Sequence, residues 1–170
     1  WDLDNRKLTD FSLMGVGTNL LGYARKEIDD KVKEAITKSN MSSLNCPEEV
    51  LLAEKLIELH PWSEKVKFAR TGGEANAIAI RIARTYSKKD NIAVCGYHGW
   101  HDWYLAANLN NKNSLNNHLL PGLGSKGVLK KLKNTVFTFD INDTQKLNSI
   151  IKNQEIGTII MEDSRNYLPN

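Results

Sequence analysis

The 170 residues carry 41% hydrophobic and 25% charged side chains, which fits one medium domain or a domain with an extension and excludes a disordered or fibrous chain. Lysine and arginine number 23 against 20 acids, and a net charge of +3 is too small to argue for a nucleic-acid or membrane partner without a clustered patch. The two distant cysteines, Cys46 and Cys95, point to a reducing cytoplasm, and neither a membrane-length apolar run nor a signal peptide is visible.

In chain order, residues 1–11 predict two short strands around the Asp4-Asn5 turn, because the pair sits between alternating residues. Residues 15–22 form a glycine-rich loop. Ile28, Val32, Ala35 and Ile36 fall at helical spacing and predict a helix over 26–39. A second helix is predicted over 47–59, with Pro47 in its first turn and Pro61 just past its end. Both helices have apolar stripes that need a partner surface. From Val66 the period changes. Strands are predicted over 66–69, 91–95, 135–139 and 158–161, with helices over 74–86 and 143–152 and an asparagine- and glycine-rich loop over about 108–127. Strands alternating with helices indicate an α/β layered domain with a mostly parallel sheet and flanking helices.

Ligands in such sheets sit beyond the carboxyl ends of the strands. Arg70-Thr71-Gly72-Gly73 lies there, between the strand at 66–69 and the helix at 74. Two glycines let the backbone approach an anion and the helix dipole adds roughly half a positive charge, a geometry suited to phosphate. The competing reading is an ordinary tight turn capped by Thr71. Neither a Walker loop nor a Gly-x-Gly-x-x-Gly turn is present, which counts against ATP and NAD. At the end of the next strand, residues 95–104 gather Tyr97, His98, Trp100, His101, Asp102, Trp103 and Tyr104. An aromatic there could cover a flat ring and a histidine could transfer a proton, or the cluster could simply pack a loop onto the core. His98, His101 and Asp102 invite a metal reading, but no completed ligand set is evident and no metal is expected. Glu162, at the end of the last strand, is placed for ligand chemistry or for pairing with Arg165. Cys95 reads as a buried small apolar residue, not a nucleophile. Lys126, Lys130, Lys131 and Lys133 read as a solvated surface without interleaved aromatics.

The run Arg70-Thr71-Gly72-Gly73-Glu74-Ala75-Asn76, continued by a helix ending Arg81-Ile82-Ala83-Arg84, resembles the phosphate-loop helix of class III pyridoxal-phosphate aminotransferases, usually Ser-Gly-Thr-Glu-Ala-Asn and then Arg-Xaa-Ala-Arg. Tyr97-His98-Gly99 matches the Tyr-His-Gly of that family, and the glutamate-1-semialdehyde aminomutase-like branch is the nearest in character. Met14-Gly15-Val16-Gly17, Leu21-Gly22-Tyr23, Glu48-Glu49, Leu52-Ala53-Glu54 and Met161-Glu162 add further agreement in the family's order, so the match covers nearly the whole chain.

The resemblance implies part of a fold type I large domain over 46–170, preceded by a strand, loop and helix segment over 1–45. It implies that Thr71, Gly72 and Gly73 hold the phosphate of pyridoxal 5'-phosphate, that Tyr97 stacks on its ring with His98 beside it, and that Glu162 keeps the amino-donor pocket polar. Thr71 and Gly73 replace the usual serine and threonine, shifting phosphate binding toward backbone amides. Asp163 stands where proline usually follows the glutamate. The family's Schiff-base lysine and pyridine-nitrogen aspartate have no counterpart in these residues, so no catalytic residue is assigned. The chain starts at Trp1 and stops at Asn170 just after a strand-like run, so the amino-terminal part of a longer enzyme is expected, inactive alone. Its parent would act on a small amino or keto substrate, a semialdehyde or keto sugar, as a cytoplasmic homodimer. The alternative is a non-catalytic module that binds a phosphorylated ligand or another subunit.

Overall fold

A computed structural model describes residues 1–38, 43–118, 122 and 124–162. Backbone packing divides the chain into two units, Trp1–Val66 and Lys67–Asn170.

The first unit carries two helices, α1 (Lys26–Lys38) and α2 (Pro47–Leu59), both where the apolar spacing predicts them. Pro47 opens α2, where its missing amide costs nothing. On α1, Glu34 lies between Lys31 at 3.0 Å and Lys38 at 2.9 Å, ion pairs of helical spacing on an exposed face. Ile28, Val32 and Ile36 are also exposed, so this stripe has little cover among the described residues. The two amino-terminal strands do not form. Asp2 instead closes a compact turn: its Oδ1 accepts from the amides of Asp4 at 3.0 Å and Arg6 at 2.9 Å, and Arg6 Nε donates to its Oδ2 at 2.7 Å. Asn5 takes the left-handed conformation the turn requires, with φ +60°. The turn reading therefore holds while the flanking ladder is missing, because a side chain close in sequence satisfies the amides that a hairpin would have paired.

The second unit is the α/β layer. Helix α3 (Gly72–Ser87) leads to strand β1 (Asn91–Cys95), followed by two short helices, α4 (Asp102–Leu105) and α5 (Ala107–Asn110). Single 3-10 turns follow at Asn116–His118 and Lys130–Leu132, so the loop predicted over 108–127 is partly helical. Strand β2 (Val136–Thr138), helix α6 (Thr144–Asn153) and strand β3 (Ile156–Met161) complete the described order. The three strands run parallel in the order β2-β1-β3. Ile92 pairs with Val136 on one side and Thr158 on the other.

The predicted strand over 66–69 is absent from this sheet. A strand exists only through a ladder, and among the described residues β1, β2 and β3 pair only with one another, so the composition of 66–69 is not enough to make a strand. Central placement makes β1 the core. Ile92, Val94 and Cys95 are fully buried, and successive side chains face opposite layers. Ile92 and Val94 pack with Ile80 of α3, Trp103, Tyr104 and Leu115, while Ala93 and Cys95 pack with Phe139 and Ile150 of α6. A parallel sheet covered on both faces accounts for the unbroken apolar run of β1.

Candidate functional site

The loop beyond the carboxyl end of β1 meets the amino end of α3. At that helix end Thr71 is the cap: its Oγ1 accepts from the Glu74 amide at 3.1 Å, and Glu74 Oε2 accepts in return from the Arg70 amide at 2.9 Å. This is a variant of the capping box, with the glutamate reaching one residue further back than usual. The Ala75 amide is the first to bond within the helix, to Thr71 O at 3.0 Å. The amides of Gly72 and Gly73 therefore point out of the helix start and take no acceptor among the described residues. A Cβ on Gly72 would meet nothing within 4 Å, so this side of the turn is open.

Across from it lies the loop of residues 96–101. Gly99 has φ +102°, and a Cβ there would stand 2.7 Å from Gly73 Cα. Only the absence of two side chains lets these backbones approach so closely. Asn76, in the second turn of α3, reaches the same loop, its Nδ2 donating to His98 O at 3.2 Å. His101 lies against Gly73, since a Cβ on that glycine would meet its ring at 3.0 Å.

The aromatic residues separate into two roles. Trp103 and Tyr104 belong to the core, and Trp103 Nε1 has no partner among the described residues. Trp100 is exposed. Tyr97 is half-buried, edge-on to Tyr104 at 6.2 Å between ring centres. Its amide donates to Glu162 Oε2 at 3.0 Å, so the end of β3 is tied to the aromatic loop. His98 is buried and tucked against Trp103 and Tyr104. Its Nε2 donates to Cys95 O at 2.8 Å, because a carbonyl can only accept. Burial holds the His98 imidazole below the ordinary histidine pKa, opposed by the Cys95 carbonyl and the Glu162 carboxylate. Burial likewise pushes the Tyr104 hydroxyl well up.

All six residues singled out in the sequence thus fall in the second unit, at one end of β1 and β3. Thr71, Gly72 and Gly73 open α3, Tyr97 and His98 follow β1, and Glu162 follows β3. Asp163 and Arg165 lie outside the described residues. Three further participants have no role assigned to them from the sequence: Tyr104, which lies within the aromatic run 95–104, Asn76, which closes the run 70–76, and His118. Tyr104 Oη donates to Gly96 O at 2.7 Å, and His118 Nδ1 accepts from the Gly96 amide at 2.9 Å. Asn76 leaves a usable trace, an asparagine early in a helix where it is a poor former; His118 sits in a loop without periodicity and leaves none. Among the described residues no group of three histidine, cysteine or acidic side chains is placed to hold a metal ion. Lys126, Lys130, Lys131 and Lys133 are exposed, and no described helix is long and apolar enough to cross a membrane.

Comparison with known proteins adds to this geometry. A family model described as aminotransferase class III matches residues 1–165. The glutamate-1-semialdehyde 2,1-aminomutase of Nitrosopumilus maritimus (strain SCM1) is 38% identical over 165 residues, covering 95% of this chain and 38% of that protein. The 3-aminobutyryl-CoA aminotransferase of Cloacimonas acidaminovorans (strain Evry) is 35% identical over 163 residues, covering 94% of this chain and 35% of that protein. Among solved structures, a transaminase with PLP bound superimposes with a TM-score of 0.71 at 24% identity, covering 88% of this chain and 35% of that one. The chain thus spans less than two-fifths of the length of these relatives.

Proposed function

This chain belongs to the class III aminotransferase family, and we propose that it is the part of a pyridoxal-phosphate enzyme that grips the cofactor phosphate and shelves its ring. The observation that carries the reading is the pair of outward amides at Gly72 and Gly73, set on an open turn beside the Tyr97 loop. Two amides at a helix start favour an anion through both hydrogen bonding and the helix dipole. Thr71 fits the same role: its hydroxyl oxygen is spent on the Glu74 amide, which leaves its proton to donate outward. Tyr97 would meet the ring, and His98 would support it from beneath as a neutral, buried base. Glu162 would hold the Tyr97 backbone while keeping a carboxylate near the ring. When bound, the cofactor supplies the electron sink that makes amine transfer possible.

The parent protein would move an amino group on a small amino or keto substrate, and both aminotransferase and aminomutase outcomes suit the relatives. A cytoplasmic homodimer is proposed for it, with residues 1–45 as a segment preceding the large domain at 46–170. No residue of this chain is assigned the Schiff-base role, so the 170 residues alone would bind without turning over.

Titration of the purified chain with pyridoxal phosphate, followed by tyrosine and tryptophan fluorescence, tests the reading. Saturable binding that inorganic phosphate competes away, weakened in Thr71→Ala, is expected. An absorbance band abolished by a single lysine substitution would show that a nucleophile is present after all. Reading the coding sequence past Asn170 separates the alternatives: continuation into an Asp-Glu strand and a later lysine is expected, and a stop codon at that point would favour the non-catalytic module.

A further inference from the structure

Gly96 joins β1 to the aromatic loop, and its peptide groups are held from three directions. Its amide donates to His118 Nδ1 at 2.9 Å, and its carbonyl accepts from Tyr104 Oη at 2.7 Å. The next amide along, that of Tyr97, donates to Glu162 Oε2 at 3.0 Å. The backbone at Gly96 is left-handed, with φ +93°, and a Cβ would stand 2.8 Å from Glu162 Oε2. Rotation of the peptides at Gly96 therefore breaks at least one of these bonds, and a side chain in place of Gly96 would meet the carboxylate.

His118 is 2% exposed, in the 3-10 turn Asn116–His118. An amide can only donate, so Nδ1 carries the lone pair and the neutral ring bears its proton on Nε2. The Asp140 carboxylate stands 3.9 Å from Nε2. Three titratable groups act on the ring through their charge: Asp140 beyond β2 and Glu162 beyond β3, which favour its protonation, and His98 beyond β1, which opposes it. Burial is the largest influence and holds the imidazole in its neutral form.

We infer that His118 is a positioning residue for the Tyr97 shelf: its Nδ1 lone pair holds Gly96 in the left-handed conformation and so sets the angle at which Tyr97 meets the cofactor ring. This rests on the reading above, in which Tyr97 carries the pyridoxal ring. His118 itself touches no substrate.

The test uses the protein that carries this sequence, with amide hydrogen exchange measured by NMR on the cofactor-free form and pyridoxal phosphate binding followed by induced circular dichroism. His118→Leu removes the acceptor at similar bulk. Exchange at Gly96 should accelerate about tenfold or more, and pyridoxal phosphate affinity should fall about tenfold, as expected when a buried amide loses its partner. Amides of Ile92 to Val94 should keep their protection. His118→Asn keeps an oxygen at the Nδ1 position and should restore both readouts to within about threefold. His118→Gln carries its polar atoms one bond further out and should behave like His118→Leu. Where His118→Leu does not fold, the contrast between Asn and Gln decides. Unchanged Gly96 exchange in the Leu or Gln variant overturns the inference, as does faster exchange with unaltered affinity and dichroism. A wild-type protein that binds no pyridoxal phosphate sinks the cofactor reading and this inference with it. Equal binding by every variant sinks the inference alone.

Discussion

Replacing Gly99 by alanine should separate the aromatic loop from the start of α3. The added Cβ would lie 2.7 Å from Gly73 Cα, whereas carbon atoms pack at roughly 3.5–4.0 Å, so loop and helix must part by about 1 Å. That displacement would stretch the Asn76 Nδ2 to His98 O bond from 3.2 Å beyond hydrogen-bonding range. Two costs combine. Alanine at φ +102° adds strain of ~1 kcal/mol or more, and overpacking a close backbone contact adds ~1–3 kcal/mol. A loss of about 2–4 kcal/mol follows, measurable as a lower urea midpoint at unchanged slope. Pyridoxal phosphate affinity should fall with it, since the phosphate turn and the ring shelf no longer hold their spacing. A Gly99→Ala protein within about 0.5 kcal/mol of wild type, with unaltered binding, would refute the argument that this close approach builds the site.

Thr71→Ala removes the cap of α3 and should destabilise by about 1 kcal/mol in urea unfolding, while Thr71→Ser should be close to neutral. Ile92→Ala, at a fully buried position of the central strand, should cost ~2–5 kcal/mol by the same measurement. For pH, His98 and His118 both have folded pKa values below the ordinary 6.5, through burial in each case. The folded state thus binds these protons less readily than the unfolded chain. Their contribution is complete above about pH 6.5 and drains away as pH falls through the folded values. Urea midpoints should therefore drop on acidification from pH 7.5 to 5, and less steeply in a protein carrying His98→Gln and His118→Asn. A flat wild-type profile over that window would contradict the assignment of both rings as neutral.

Local signals account for most of what the sequence revealed. Pro47, the spacing of Ile28, Val32 and Ile36, and the Thr71-Gly72-Gly73-Glu74 run each act within one or two turns of chain, and α1, α2 and α3 stand where these place them. The apolar run at 91–95 was legible for the same reason: a strand buried on both faces needs no alternation. Failures came where a partner decides. Residues 66–69 have a strand's composition but join no ladder among the described strands, and residues 1–11 have a hairpin's turn without its ladder, because Asp2 holds the amides of Asp4 and Arg6. At the site, the glycine turn and the aromatic loop were visible as motifs. Their joining was not. It depends on Asn76 reaching His98 and on His118 reaching Gly96, each across 22 residues, and no periodicity records such a pairing.

The spans of the bonds at the aromatic loop bear on the order in which a growing chain can build it. The clasp from His118 closes 22 residues and the clasp from Glu162 closes a loop of 65. Loop-closure entropy makes the longer one costlier by only ~1 kcal/mol, so timing is the larger difference. During synthesis at about 5–20 residues per second, Gly96 acquires its imidazole partner seconds before the Tyr97 amide can find its carboxylate. In that interval β1 lacks its β3 neighbour, and one side of the central strand stands open. The early clasp would keep the left-handed peptide in place while that edge waits, so that β3 docks onto a prepared corner and does not have to shape it on arrival.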